Sequence, residues 1–369
     1  MLRGGRGMEK RRLGESDLFP IGLGCRTLGS RAENRKGSVK MVRRAVELGV
    51  NFIDTANIYR RGISEEIVGE AIQPMRDQVI LATKGGIVIS EEGRPTQDLR
   101  PESIRQAVKE SLKRLQTDYI DLYQIHYPDP ATPFEETIGA LREFVETGAI
   151  RYVGLSNFSP EELEKWAELM EVPSVQAPYN LLQRKTYRGL LPICERRKIS
   201  MIVYTPLLMG LLTGKVTRNT TFDKGDERSI VPRRIVETCI EITERLRPVA
   251  ERYNRTVAQL VLSYTMNQPG VGCVLVGASS IAQVVENVEA AQWTIPEEDR
   301  SAVEKIVEDV GESLDEQFFV QAVRRVFTSY AGRRIAVLQM GMKFPVPSEV
   351  KTGDRIKISW NGEYLGIAE

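Results

Sequence analysis

Four side chains in the first half of the chain could move a proton to or from a substrate oxygen: Asp54, Tyr59, Lys84 and His126. A tyrosine can act as a general acid, but a free phenol has a pKa of about 10 and releases its proton reluctantly at neutral pH. A lysine ammonium beside it stabilises the phenolate and is expected to lower that value, and a carboxylate fixes the lysine in place. A histidine at the same site can hydrogen-bond the substrate oxygen and orient it. His126 is the single histidine among 369 residues. Each residue also has a plain structural reading. Asp54 could cap a helix or turn, Lys84 could form a structural ion pair with it, Tyr59 could pack, and His126 could be a satisfied rim residue. Their shared placement argues for chemistry, because the plain readings would have to coincide four times.

That placement is legible in the runs that carry them. Asn51-Phe52-Ile53-Asp54 ends in the acid, Val79-Ile80-Leu81-Ala82-Thr83-Lys84 in the base, and Ile120-Asp121-Leu122-Tyr123-Gln124-Ile125-His126 in the imidazole. All three have strand length, and Pro128 and Pro130 close off the last. Tyr59 follows Asp54 by five positions, in the connecting loop. Polar groups at the carboxyl ends of successive parallel strands are expected at the mouth of a (β/α)8 barrel.

The rest of the chain repeats the alternation. Arg12 to Pro20 reads as an N-terminal β-hairpin, Ile21–Cys25 as the first barrel strand, and Val39–Leu48 as a helix stopped by Gly49. Helices are expected over Glu65–Ile72, Pro101–Leu115, Phe134–Val145 and from Pro160, capped by Ser159. Further strands are expected at Tyr152–Ser156, Ser174–Ala177, Met201–Tyr204 and Cys273–Gly277. Eight short apolar strands between helical patterns fit an α/β TIM barrel, because a parallel sheet is covered by its own crossover helices. An open dinucleotide-binding sheet should carry G-x-G-x-x-G after its first strand. Gly22-Leu23-Gly24-Cys25-Arg26-Thr27 does not.

Leu207 to Pro232 is a long polar loop, a length common in functional flaps. The barrel is expected to occupy 1–295 and a C-terminal extension 296–369. In the extension, helices are expected at Pro296–Val310 and Leu314–Phe327. Strands follow at Arg334–Leu338 and Arg355–Trp360, with an Asn361-Gly362 turn leading to Glu363–Ile367.

Totals exclude several classes. With 51 basic and 50 acidic residues the net charge is +1, so no global field favours nucleic acid or an anionic membrane. No apolar run reaches the roughly 18 residues that a bilayer requires. Cys25, Cys194, Cys239 and Cys273 are widely spaced, with no metal-ligand spacing or disulfide framework. The basic amino terminus lacks the apolar centre of a signal peptide, so the expected location is cytoplasmic.

Several blocks together resemble the aldo-keto reductases, in the style of their potassium-channel β-subunit-like and bacterial-archaeal members. They are Gly49-Val50-Asn51-Phe52-Ile53-Asp54-Thr55-Ala56 with Tyr59 and Ser64-Glu65, Ala82-Thr83-Lys84, and Leu115 to Leu122. Gly148-Ala149-Ile150-Arg151-Tyr152-Val153-Gly154-Leu155-Ser156-Asn157-Phe158, Val175 to Asn180, Val276 to Ser279 and Glu286-Asn287 continue the match, which runs from about Leu13 to Trp293. The resemblance implies a barrel that binds NADP(H) without a Rossmann domain and transfers hydride to or from a carbonyl carbon of a small molecule. It maps the general acid to Tyr59, its partners to Lys84 and Asp54, and substrate orientation to His126.

It also implies the cofactor positions. Ser156, Asn157 and Gln176 correspond to the grip on the nicotinamide carboxamide, and Tyr204 to a ring stacked on the nicotinamide. On the residues alone Tyr204 reads equally as core with a wet hydroxyl. Pro206, Leu207, Leu208 and Gly210 resemble the segment over the pyrophosphate, with Lys215 and Arg218 as candidate phosphate partners. Gly277, Ser279, Gln283, Glu286 and Asn287 match the adenosine end. Many relatives place a basic residue near Gly277 or Gln283 for the 2′-phosphate; this chain does not, so NAD(H) stays open beside NADP(H). Arg26 stands where many relatives carry a neutral pair, and is a candidate for recognising an acidic or phosphorylated substrate. Two alternatives remain: a cofactor-binding regulatory module of the same fold, and an alcohol or sugar dehydrogenase working oxidatively.

Overall fold

A computed structural model of the chain describes residues 11–29, 35–90, 95–223 and 226–310, together with four strands between 318 and 359. Strands β1 (Arg12–Leu13) and β2 (Ser16–Asp17) form the expected antiparallel hairpin. Then β3 (Ile21–Gly24), α1 (Arg35–Glu47), β4 (Phe52–Asp54), α2 (Ile63–Ile72) and β5 (Ile80–Gly85) begin the alternation. A short hairpin, β6 (Ile87–Ile89) and β7 (Pro95–Gln97), was not evident in the sequence. It is followed by α3 (Pro101–Leu115), β8 (Ile120–Ile125), α4 (Phe134–Glu146), β9 (Ile150–Ser156), α5 (Pro160–Leu169), β10 (Ser174–Pro178) and α6 (Lys185–Arg197). Next come β11 (Ser200–Tyr204), α7 (Arg233–Glu251), α8 (Val257–Met266), β12 (Val271–Val276), α9 (Ile281–Ala290) and α10 (Glu297–Val310).

The eight barrel strands close in the order β10-β11-β12-β3-β4-β5-β8-β9, every neighbouring pair parallel. All six residues of β5 and of β8 are buried, as strands sandwiched between barrel interior and helices must be. The helices obey their end signals. In α3, Pro101 opens the first turn, Ile104, Ala107, Val108, Ser111 and Leu115 face the barrel at helical spacing, and Gln116 ends it at φ 54°. Ser159 closes a reciprocal capping box with Glu162 at the start of α5.

Two apolar layers follow from this arrangement. One lies between strands and helices. The other fills the barrel interior from below: Phe52, Ile80, Leu122, Ile202 and Leu275 meet Leu13 and Leu18 of the hairpin, which plugs that end. Toward the carboxyl ends of the strands the interior becomes polar, with Asp54, Lys84, Gln124 and Gln176 buried there. A third cluster joins α7 and α8 to α10 through Ile240, Leu246, Tyr264, Val303 and Val307.

The helix expected at Leu314–Phe327 is overturned: Phe318–Thr328 is a strand, β13. Phe318, Phe319, Val320, Val323, Val326 and Phe327 supply the β-branched and aromatic side chains that favour a pleated surface, and this outweighs a spacing compatible with a helix. It pairs antiparallel with β14 (Arg334–Leu338) and β16 (Arg355–Ser359), and β14 pairs with β15 (Lys343–Pro345). The expected Asn361-Gly362 turn and the strand after it lie outside the described residues.

Candidate active site

Strands β4, β5 and β8 deliver Asp54, Lys84 and His126 to one end of the barrel, as their strand-end positions predict. The loop after β4 continues along β5, with Thr55 N–H donating to Ala82 O (2.9 Å) and Asn57 N–H to Lys84 O (3.1 Å). This anchored stretch presents Tyr59. The chain then turns through Arg60, Arg61 and Gly62 at φ 50°, 56° and 91° into α2. The Lys84 ammonium lies against the Asp54 carboxylate and donates to Thr55 O at 3.0 Å and to the Tyr59 hydroxyl at 3.4 Å. Its three N–H groups therefore have three acceptors. The His126 ring meets Tyr59 edge-on at 5.8 Å between centroids and stacks on Tyr127 at 5.3 Å. All four expected residues come together.

Burial disfavours the Lys84 ammonium, but the Asp54 carboxylate and, less strongly, Tyr59 together override it and hold Lys84 above its ordinary pKa. Tyr59 corrects an expectation. Burial pushes its phenol above the ordinary value, and Lys84 only partly offsets this, because Asp54, in contact with that ammonium, opposes it. The Tyr59 phenol therefore holds its proton beside the Lys84 charge. His126 is pushed well below the ordinary imidazole value, by burial first and by Lys84 second, so the ring is neutral. Its Nδ1 is buried without a partner. Arg26 is exposed at this mouth, near enough to favour the phenolate forms of Tyr59, Tyr127 and Tyr204.

The other candidates ring the same end. Asn157, at φ 61°, donates to His126 O and to Ser156 Oγ, both at 3.0 Å, and accepts from the Tyr204 hydroxyl at 2.6 Å. Gln176 directs its amide nitrogen inward, to Asp54 Oδ2 at 2.9 Å and Gln124 Oε1 at 3.0 Å. Pro206 and Leu208 are buried, and Leu208, Met209 and Gly210 take φ of 46°, 55° and 88°, a tight reversal after β11. Leu207 is half-buried beside it. Lys215 pairs with Glu286 at 3.0 Å across the surface, while Arg218 is exposed and its carbonyl accepts from Arg233. Beyond β12, exposed Gly277 leads to Ser279, whose N–H and hydroxyl both donate to Gln283 Oε1, at 2.8 and 3.0 Å. Asn287 is buried on α9.

Residues 20–308 match the Aldo/keto reductase family. The chain belongs to that family. An aldo-keto reductase of Bacillus subtilis, YhdN, is 36% identical over 82% of this chain and 95% of its own length. An NADH-specific methylglyoxal reductase of Escherichia coli is 33% identical over 82% and 99%. Among solved structures, a glycerol dehydrogenase from Gluconobacter oxydans superposes with a TM-score of 0.77 at 32% identity, covering 82% of this chain and 95% of that one. An aldo/keto reductase from Klebsiella pneumoniae, solved with NADP and acetate, gives 0.66 at 28% identity over 83% and 98%.

Within this family member, sequence reasoning missed Gln124. It is fully buried, and its amide donates to Asp54 Oδ2 at 3.0 Å. The available signal was an amide two residues before His126 inside an apolar run. Glu65 was noted only as part of a motif. It is fully buried on α2, accepts from the Thr83 hydroxyl and Arg114, both at 2.6 Å, and so ties the back of β5 to α2 and α3. Among the described residues no group of His, Cys, Asp or Glu is placed to hold a metal ion, and no helix is long and apolar enough to cross a membrane.

Proposed function

We propose that this protein is an NADP(H)-dependent reductase of small aldehydes or ketones in which Tyr59 is the general acid. One observation carries this reading: a buried ammonium, Lys84, joined to Asp54 and 3.4 Å from the Tyr59 hydroxyl, beside a neutral histidine at the barrel mouth. Tyr59 donates the proton to the carbonyl oxygen, and the Lys84 ammonium stabilises the phenolate. Asp54 keeps that ammonium charged and aimed. His126, neutral, orients the carbonyl oxygen by hydrogen bonding.

The donor set fits a nicotinamide cofactor. Ser156, Asn157 and Gln176 bring a hydroxyl and two amides to adjacent strand ends, matching a carboxamide's one acceptor and two donors. The aromatic ring of Tyr204 stands beside them. When bound, the nicotinamide supplies hydride; the chain supplies orientation and electrostatics. Pro206, Leu207 and Gly210 would cover the pyrophosphate and Lys215 its charge. Gly277, Ser279, Gln283, Glu286 and Asn287 would hold the adenosine end. The Klebsiella relative solved with NADP supports NADP(H); the NADH-specific relative keeps NAD(H) in the comparison. The catalytic unit is the barrel of 1–295, and of the extension 296–369 the first helix, α10, packs onto α7 and α8. Four buried free cysteines favour a reducing cytoplasm.

The test is oxidation of NADPH and of NADH against a panel of neutral and anionic aldehydes. Turnover should fall about 10²- to 10⁴-fold in Tyr59→Phe, while NADPH still raises the melting temperature of both proteins. Cofactor binding with no turnover, or turnover indifferent to Tyr59→Phe, would overturn the reading and favour a regulatory module. A preference for anionic aldehydes that disappears in Arg26→Ala would assign Arg26 to substrate recognition.

A further inference from the structure

The carboxylate of Asp54 is held on both oxygens. Oδ1 lies against Lys84, while Oδ2 accepts from Gln124 Nε2 at 3.0 Å and from Gln176 Nε2 at 2.9 Å. The two glutamines are themselves joined, Gln176 Nε2 donating to Gln124 Oε1 at 3.0 Å. Asp54, Gln124 and Gln176 come from β4, β8 and β10, the second, fourth and sixth strands around the barrel. Inward residues of alternate strands share one layer in such a barrel. On β9, between the two glutamine strands, stands Gly154. A Cβ there would lie 2.9 Å from Ser174 Oγ and 3.3 Å from Gln124 Cγ, so a side chain at this position would crowd the network.

We propose that Gln124 is a positioning residue: it fixes the Asp54 carboxylate toward Lys84 and sets the direction of the Gln176 amide. An ionised carboxylate only accepts hydrogen bonds, so both amides must turn their nitrogens toward Asp54, and the network has a single self-consistent sense. Both N–H groups of Gln176 are then committed, one to Asp54 and one to Gln124. Gln176 meets whatever binds above it through its carbonyl oxygen. Without Gln124, Oδ2 keeps only a Gln176 amide free to rotate, and the carboxylate can swing off Lys84. The inference rests on the reductase reading and adds to it a residue that touches neither Lys84 nor Tyr59 in the hydrogen-bond network.

The pH consequence runs through Lys84. Facing it are Asp54 on β4, Tyr59 in the loop after β4, His126 after β8 and Cys25 after β3, while Cys273 on β12 faces Asp54. Of the two partners that raise the Lys84 pKa, Asp54 and Tyr59, Asp54 acts more strongly, so slackening Asp54 lowers it. Reduction needs Lys84 charged, and its alkaline limb therefore moves to lower pH.

The experiment compares wild type, Gln124→Met, Asp54→Asn and the double variant in steady-state reduction, with crystal structures of wild type and Gln124→Met free of cofactor. Gln124→Met should lower kcat about ten- to a hundredfold, the scale of a hydrogen bond to a charged group. It should leave KM for the aldehyde little changed, move the alkaline limb down, and turn the Asp54 carboxylate in the crystal. In the Asp54→Asn background it should cost little more. Wild-type kinetics in Gln124→Met, an unmoved Asp54, or the same loss in both backgrounds would overturn the inference, the last marking a merely structural residue. Should Gln124→Met fail to fold, Gln124→Glu keeps the shape but, once ionised, cannot donate to Asp54; it should lose activity with rising pH, and a flat response would overturn the inference. An inactive wild type would sink the reductase reading itself. An active, Tyr59-dependent wild type alongside an unaffected Gln124→Met sinks only this proposal.

Discussion

His126 offers a clean view of single-residue electrostatics because the chain has no other histidine. Burial and the Lys84 charge hold its pKa well below the ordinary 6.5. Below that value an unfolded chain takes up a proton that the native ring refuses. Stability therefore falls as pH drops below 6.5, and the ring contributes no pH dependence above it. Two outcomes follow. The imidazole resonances of the folded protein should not titrate between about pH 5 and 8, the range where an ordinary histidine would. Denaturant melts of His126→Gln should show a shallower acid-side decline than wild type. Tyr59 belongs to the same scale. Its spacing from Asp54 marked it as a candidate, but the balance between burial, Lys84 and Asp54 depends on contacts made only in the folded barrel.

Elements position these residues through close approaches that leave little slack. Gly69 on α2 lies against the end of α3, where a Cβ would fall 2.5 Å from Leu115 O and 2.6 Å from Leu115 C. Backbone cannot move aside as a flexible side chain does. Gly69→Ala should destabilise the fold by about 1–3 kcal/mol despite the better helix propensity of alanine. Calorimetry should then show a melting temperature lower by several degrees; an unchanged or higher value would mean that α2 and α3 can separate without cost. The same helix carries Glu65 to Thr83, one residue before Lys84, so a shift of α2 should be felt at the site. Turn and cap residues made most elements legible: Pro101 before α3, Ser159 before α5, Gly49 after α1. The Phe318–Thr328 strand escaped because its apolar positions suit either period, and strand pairing with β14 and β16 decides between them.

At the scale of the whole molecule, α10 ends the packed body of the described barrel. Val303 and Val307 are buried in the cluster that includes α7 and α8. A chain cut after Val310 keeps that cluster and should melt cooperatively; a chain cut after Trp293 loses α10 and should melt far lower or not fold. Circular dichroism of the two truncations checks this. Comparable melting of both would show that α10 adds nothing to the body. Aldehyde KM values for the Val310 truncation then report whether the β13–β16 sheet shapes the substrate range, unchanged values meaning that it does not.

The eight-fold alternation, the hairpin before it and the four residues gathered at one mouth were all readable from residue order, because strand-end polarity, helix caps and apolar spacing are local signals. The hydrogen bonds that reach across strands were not. Gln124, Gln176 and Gly154 meet only when β8, β9 and β10 stand side by side, and the net direction of the Tyr59 shift depends on how deeply those strands bury it. Local pattern specifies which face of a strand looks inward. Which amide then finds which carboxylate, and in what dielectric, is set by barrel closure.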